Sequence, residues 1–183
     1  TTASNNISIG HEAMCTNTTG ASNTAVGKSA LRANTTGTAN NALGTEALKN
    51  NTASYNTAVG TASMLSNTSG QENVAMGHDS LDANTTGGCN TTSGVSSLGK
   101  NTTGGKGSAC GFKALCANTT GNDNNAFGFE AGCNVTTGNG NVFVGSGTSA
   151  SGAGDSNAIV IGNGTSKGGQ TGFINPDNGG VYQ

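Results

Sequence analysis

A repeat of 17 residues runs through almost the whole chain, and it limits the fold more than any other feature of the sequence. A marker glycine occurs once in each unit, and nine steps connect the first marker to the last, eight of 17 residues and one of 16. The marker glycines are Gly10, Gly27, Gly44, Gly60, Gly77, Gly94, Gly111, Gly128, Gly145 and Gly162. Such a strict short period is typical of a solenoid, in which each unit contacts only its neighbours along one axis.

Each unit is predicted to be a coil of short β-strands. One unit begins Asn23-Thr-Ala-Val-Gly27 and closes with Asn34-Thr-Thr-Gly37, and these turn signals leave no room for a helix of about ten residues. The sequence therefore predicts an all-β fold, a parallel β-solenoid (β-roll) of about ten 17-residue coils over residues 1–167. Residues 168–183 are predicted to form a C-terminal cap or junction. We assign the residue missing from the short step to the turn Ser54-Tyr55-Asn56.

The positions within a unit predict which side chains form the core. We expect two columns to point inward: the residue before each marker glycine, such as Val26, and the residue four positions after it, such as Leu31. Two columns of asparagine are expected to stack at about 4.8 Å, to bond along the column, and to adopt the left-handed backbone that tight corners need. Corner glycines such as Gly37 are expected for the same conformational reason.

Composition excludes several classes of function. Only 9% of the 183 residues are charged, 4% are aromatic, and the net charge is −2, so no electrostatic surface for nucleic acid is expected. No stretch approaches the roughly 20 apolar residues of a membrane span, so no membrane insertion is expected. Acidic residues share one column, which we interpret as a solvated surface. No arrangement of residues predicts a catalytic site, a bound metal or a cofactor.

Cysteines and asparagines suggest covalent modifications. Cys116 and Cys133 occupy the same column of adjacent coils, about 4.8 Å apart at Cα, which is compatible with a disulfide or with two free thiols. Several column asparagines begin the sequence Asn-x-Ser/Thr, the acceptor of N-linked glycans. An asparagine column beside a threonine column also creates this motif without any glycan. The candidate glycosylation sites are Asn17, Asn34, Asn67, Asn84, Asn101 and Asn118.

A column of threonine is the most regular polar feature, and we take it as a candidate face for ice or another partner. Its members are Thr18, Thr35, Thr52, Thr68, Thr85, Thr102, Thr119 and Thr136. A second threonine often follows directly. Because consecutive strand residues face opposite sides, we expect only one of the two columns to point outward.

The unit Asn23-Thr-Ala-Val-Gly27 with its closing Asn34-Thr-Thr-Gly37 resembles the repeats of phage tail-fibre-like proteins. The segment Asn157-Ala-Ile-Val-Ile-Gly162 resembles the head repeats of trimeric autotransporter adhesins. These resemblances imply a β-roll, often trimeric, that serves as a stalk or adhesive head on a cell or virion. We therefore expect a non-catalytic extracellular fibre or adhesin module that forms a homotrimer or an end-to-end filament, with a cell-surface glycan as a further partner. Ice binding is the alternative function.

Overall fold

The fold is a parallel β-solenoid. The computed structural model describes residues 3–166, residue 169 and the backbone of residues 172–175, and no helix occurs in that part of the chain. One strand belongs to each coil, and the strands form a single parallel sheet in chain order. The strands are β1 (Ile7–Ile9), β2 (Thr24–Val26), β3 (Asn41–Leu43), β4 (Thr57–Val59), β5 (Val74–Met76), β6 (Thr91–Ser93), β7 (Ser108–Cys110), β8 (Asn125–Phe127), β9 (Val142–Val144), β10 (Ile159–Gly162) and β11 (Gly172–Asn175).

Strand register confirms the 17-residue repeat. Val26 pairs with Leu43, and the same position of every coil pairs with its equivalent in the next. Most of the predicted cap at residues 168–183 lies outside the described residues. Its described strand, β11, pairs in parallel with β10, Ile159 opposite Gly172, so the sheet extends by one strand beyond the ten coils.

Small residues fill the strand side of the core. The central residue of each strand from β2 to β9, and Val160 in β10, points inward, as Ala25 and Ala58 do with no exposed surface, and it faces the predicted leucine column, represented by Leu31. The prediction that the residue before each marker glycine points inward is wrong, since Leu43 is 52% exposed. Side chains alternate along a strand, so a buried central alanine forces both of its neighbours outward.

Two asparagine ladders line the interior, as predicted. In the first, Asn23 accepts a hydrogen bond at Oδ1 from the Asn40 backbone N–H (2.9 Å) and donates from Nδ2 to the Gly37 carbonyl (2.8 Å). In the second, Asn84 Nδ2 donates to Asn67 Oδ1 at 2.7 Å and to the Gly87 carbonyl at 2.9 Å. Buried polar groups cost free energy unless they form hydrogen bonds. The ladder side chains bond to backbone groups of the turns, so a coil with few strand residues can bury those groups.

The corners are built differently from the expectation. The left-handed residues are not the ladder asparagines but those two and four positions after the marker glycine, such as Ser29 (φ 56°) and Leu31 (φ 49°), with a third at Ala39. Corner Gly87 has no positive φ; a Cβ there would collide with the Gly104 carbonyl and lie 2.6 Å from Asn84 Oδ1. Glycine is therefore required at this corner by close approach of the next coil.

The short coil lacks a different residue from the one predicted. Tyr55 N–H donates to the Thr38 carbonyl at 3.0 Å, as Ala39 N–H donates to Ala21, so Ser54–Asn56 are in register with the coil before them. The missing residue is the second threonine, after Thr52, and Ala53 takes the place of the corner glycine. As a consequence Asn51 Nδ2 donates to the Ala53 carbonyl, and the buried Asn34 Oδ1 has no hydrogen-bond partner.

Candidate functional surfaces

The outer side of the sheet is a regular surface that extends over ten strands. We define the sheet face as the first and third residues of β1–β10, which point outward on either side of the buried central residue. None of its twenty positions carries a charged side chain. The large apolar residues exposed on it are Ile7, Ile9, Leu43, Val59, Met76, Phe127, Val144, Ile159 and Ile161. An exposed surface with this many large apolar residues marks an interaction site in soluble proteins.

A recess interrupts the sheet face over β6–β9. Ser93, Ser108 and Cys110 are small there, and Phe127 and Val144 form its apolar wall. Its volume is about 340 Å³. The recess is deep enough to receive apolar side chains from an opposing surface.

The sheet face was not predicted, because the third strand residue was assigned to the core. A signal was present: the central strand position is alanine in six of the ten strands β1–β10, whereas the third position changes from Leu43 to Met76, Ser93 and Phe127. An interior of fixed width constrains residue size, and an outer surface does not.

The threonines of the second column are exposed, and those of the first are exposed up to Thr68 and half-buried from Thr85 to Thr136, so the expectation that only one column points outward is wrong for the first coils. Thr18 and Thr19 lie at a bend rather than in a strand, and consecutive bend residues can both face solvent. In the first column, the hydroxyl of Thr102 donates to the Thr119 carbonyl at 3.0 Å, and other members repeat this bond between coils. These threonines therefore stabilise coil stacking as well as forming a surface.

The candidate glycosylation sites lie mostly inside the coil. Asn34, Asn67, Asn84, Asn101 and Asn118 are at most 1% exposed and belong to the second ladder. Asn17 is half-buried, with Nδ2 bonded to the Gly20 carbonyl at 2.9 Å. A glycan on a ladder amide would need space that the next coil fills, so the fold does not accommodate the predicted modification at the five buried positions.

The cysteines are all free thiols, and the disulfide considered between Cys116 and Cys133 is not formed in this structure. The two residues are neighbours in adjacent coils, with the Cys116 thiol 3.9 Å from the Cys133 carbonyl. Partial burial, followed by the nearby Cys133, raises the pKa of the Cys116 thiol. Its thiolate, the form that reacts, is correspondingly disfavoured.

Charged side chains collect on the turns that follow the marker glycines. Glu12 pairs with Arg32 at 3.1 Å and Glu46 with Lys49 at 2.7 Å, and the Lys49 ammonium lowers the pKa of Glu46. Burial, and secondarily the charge of Asp79, raises the pKa of Asp82. Exposed pairs of this type contribute little to stability, about 0–1 kcal/mol each.

The turn surface also holds an aromatic pair. The Phe112 and Phe129 rings stack with centroids 5.3 Å apart, and Lys113 Nζ lies 5.2 Å from the centroid of Phe112. Among the described residues, no cluster of three or more His, Cys, Asp or Glu side chains could hold a metal ion. The described part of the chain likewise has no helix long and apolar enough to cross a membrane.

Comparison with known protein families, with curated proteins and with solved structures gives no match. The fold and its surfaces define the class: a parallel β-solenoid repeat protein with asparagine ladders inside, an uncharged sheet face and a threonine-lined corner. The tail-fibre and adhesin resemblances remain expectations drawn from the repeat sequence.

Proposed function

We propose that this chain is a non-catalytic structural module, a rigid extracellular rod that assembles with copies of itself, as in a fibre or an adhesin. The observation that carries the proposal is the uncharged, partly apolar sheet face, which extends over ten in-register strands. Exposed apolar area of this extent favours association in water. Stiffness follows from ladders that connect most coils to the next through both backbone and side-chain hydrogen bonds.

The test is the size of the particle in solution. Sedimentation velocity of the full chain, over a concentration series, should give discrete oligomers or longer assemblies, and electron microscopy should show rods. About ten coils at ~4.8 Å correspond to a rod near 48 Å long for one copy. A strictly monomeric chain across the series would overturn the self-assembly proposal.

Ice binding is the second candidate, and the two neighbouring threonine columns favour it, the second exposed and the first half-buried in the later coils. Thr102 and Thr103 both lie at the corner surface, and their equivalents repeat from coil to coil. An ice-binding chain should show thermal hysteresis that falls sharply in Thr102→Tyr and Thr103→Tyr. Thr91→Tyr, on the sheet face, is the matched control and should leave hysteresis unchanged. Absence of hysteresis in the unaltered chain would exclude this function.

A further inference from the structure

The sheet face has a similar chemical pattern from either end at three of its five strand pairs, whereas β2 differs from β9 and β5 from β6. The first and last strands of this face, β1 and β10, each expose two isoleucines, and the sheet itself continues to β11. Third from each end, β3 and β8 expose an asparagine with a large apolar residue, Asn41 with Leu43 and Asn125 with Phe127. Asn41 and Asn125 are the only asparagines among the twenty positions. Fourth from each end, β4 and β7 expose a hydroxyl residue with a smaller apolar one.

This pattern is informative for a dimer in which the sheet face of one copy contacts the same face of a second copy with the order of the coils reversed. A two-fold axis that runs along the strand direction between β5 and β6 reverses the order of the coils and keeps each column opposite itself. Such an axis places Ile9 opposite Ile161 of a second copy and Asn41 opposite Asn125. Isologous contacts of this kind, in which each residue pair occurs twice, are the commonest interfaces of homo-oligomers.

Side-chain sizes also match across that axis. The recess has its small residues, Ser93 and Cys110, on β6 and β7. Opposite them the axis brings Met76 and Val59, the larger residues of β5 and β4. Larger residues therefore face the small residues of the recess at β6 and β7, whereas Leu43 and Phe127, both large, meet at β3 and β8.

The area is sufficient for a stable pair. Ten strands at ~4.8 Å and about 10 to 15 Å of width give on the order of 500–700 Å² per copy, or about 1,000–1,400 Å² in total. This total reaches the lower range of specific interfaces, and the absence of charged residues on the face avoids a large desolvation cost. The sheet face of one opposing copy covers the whole sheet face of the other. In a three-fold arrangement, part of each copy's sheet face would stay exposed to solvent.

We propose that a second copy of this chain covers the sheet face in an antiparallel, two-fold pairing centred between β5 and β6. This inference rests on the proposed self-assembly and specifies its partner, surface and register. The pairing differs from the trimer implied by the sequence resemblance, because it uses one flat face rather than a three-fold contact.

Charge substitution tests the register. Val59→Lys and Cys110→Glu each place two charges in the interface, one per copy, and each should weaken dimerisation by about tenfold or more. The double variant Val59→Lys/Cys110→Glu should restore the dimer, because each introduced lysine faces an introduced glutamate of the other copy. Ile161→Lys/Cys110→Glu is the matched control, since Ile161 and Val59 are both 37% exposed and both lie three coils from Cys110.

Sedimentation velocity separates the outcomes. A wild-type dimer, dissociated by the single substitutions and by the Ile161 control pair but restored by the Val59 pair, supports the inference. A trimer or polymer that Val59→Lys does not dissociate overturns this pairing and leaves the self-assembly proposal standing. A monomeric wild type overturns both. Circular dichroism of each variant verifies that the coils remain folded.

Cross-linking gives a second measurement that does not require buried charges. In a background of Cys15→Ser, Cys89→Ser, Cys116→Ser and Cys133→Ser, only Cys110 remains. Adding Val59→Cys should produce efficient dimers with a short bismaleimide, whereas adding Ile161→Cys should not. Equal cross-linking of both variants, or efficient cross-linking through Cys110 alone, would contradict the antiparallel register.

Discussion

Asparagine determines this fold at the residue scale because strands account for only three residues of a typical coil. The other backbone groups lie in turns, and their carbonyls need donors from elsewhere. Asn84 provides one such donor to Gly87 while it also bonds to Asn67, and its own Oδ1 accepts from Asn101 at 2.9 Å. Each ladder asparagine thus makes hydrogen bonds to buried backbone groups that water makes to exposed ones.

Two asparagines of the same ladder should differ in their contribution to stability. Asn84→Ala removes three hydrogen bonds at a fully buried position and should lower the free energy of unfolding by about 3–5 kcal/mol. Asn34→Ala should cost about 1–2 kcal/mol less, because Oδ1 of Asn34 has no partner to lose. Urea denaturation of both variants measures the difference. Equal losses would contradict the assignment of the ladder break to Asn34.

Asp82 provides a pH-dependent prediction. Its pKa is raised, so between the unfolded value of about 3.9 and the folded value the native state binds more protons than the unfolded state. Stability from this group is therefore lost as pH rises through that range. Asp82→Asn should be more stable than the wild type at pH 7, and the advantage should vanish below about pH 3. An advantage that does not change with pH would show that the carboxyl charge is not its cause.

At the scale of the coil, the sequence predicts the period, the parallel stacking, the leucine column and the asparagine ladders, because each repeats at a fixed offset from the marker glycine. It does not reveal which way the three-residue strands face. The triplet Thr24-Ala25-Val26 offers an apolar residue at two positions, and hydrophobicity favours the larger Val26 for the core. The smaller Ala25 is the buried residue instead, because the narrow interior has room only for a small side chain opposite Leu31.

Large and small core residues exchange places between the eighth and ninth coils. Where the first seven coils have leucine or methionine, the eighth has Gly132, and in the ninth Phe143 replaces the small central strand residue; both are buried. A Cβ on Gly132 would lie 2.5 Å from Phe143 Cδ2 and 2.9 Å from Leu115 Cδ2. The ring of Phe143 therefore fills the space that the missing leucine leaves, and the core keeps its volume.

This exchange predicts that substitutions at Gly132 and Phe143 compensate for each other's loss of stability. Gly132→Leu alone should destabilise by collision with Phe143, and Phe143→Ala alone should cost about 3–5 kcal/mol by leaving a cavity. The double variant should recover at least about 2 kcal/mol relative to the sum of the singles. Leucine is suitable at this backbone position, since Leu115 has φ 51° in the same column and Gly132 has φ 65°. Thermal or urea unfolding measures the coupling, and strict additivity would contradict it.

For the whole molecule, stability is the sum of contacts between successive coils, so the weakest contact determines where the rod opens. The missing threonine after Thr52 interrupts the second ladder between Asn34 and Asn51. The coils before this point are joined to the rest through one complete ladder and the sheet, whereas the fourth to sixth coils have both ladders. In the seventh coil Gly107 takes the place of a first-ladder asparagine, and only its N–H continues the ladder, by donating to Asn90 Oδ1. The first two coils should therefore exchange amide hydrogens faster than the fourth to sixth coils.

Repair of the short coil distinguishes this weakness from fraying at an end. Insertion of a threonine after Thr52, together with Ala53→Gly, recreates Asn-Thr-Thr-Gly and gives Asn34 Oδ1 a donor. Hydrogen exchange measured by mass spectrometry should then show slower exchange in β2 and β3 and little change in β7 and β8. Fraying alone predicts no response to the insertion, because the first coil is the same in both proteins. Uniform slowing along the rod would instead indicate one cooperative unit and contradict a local break.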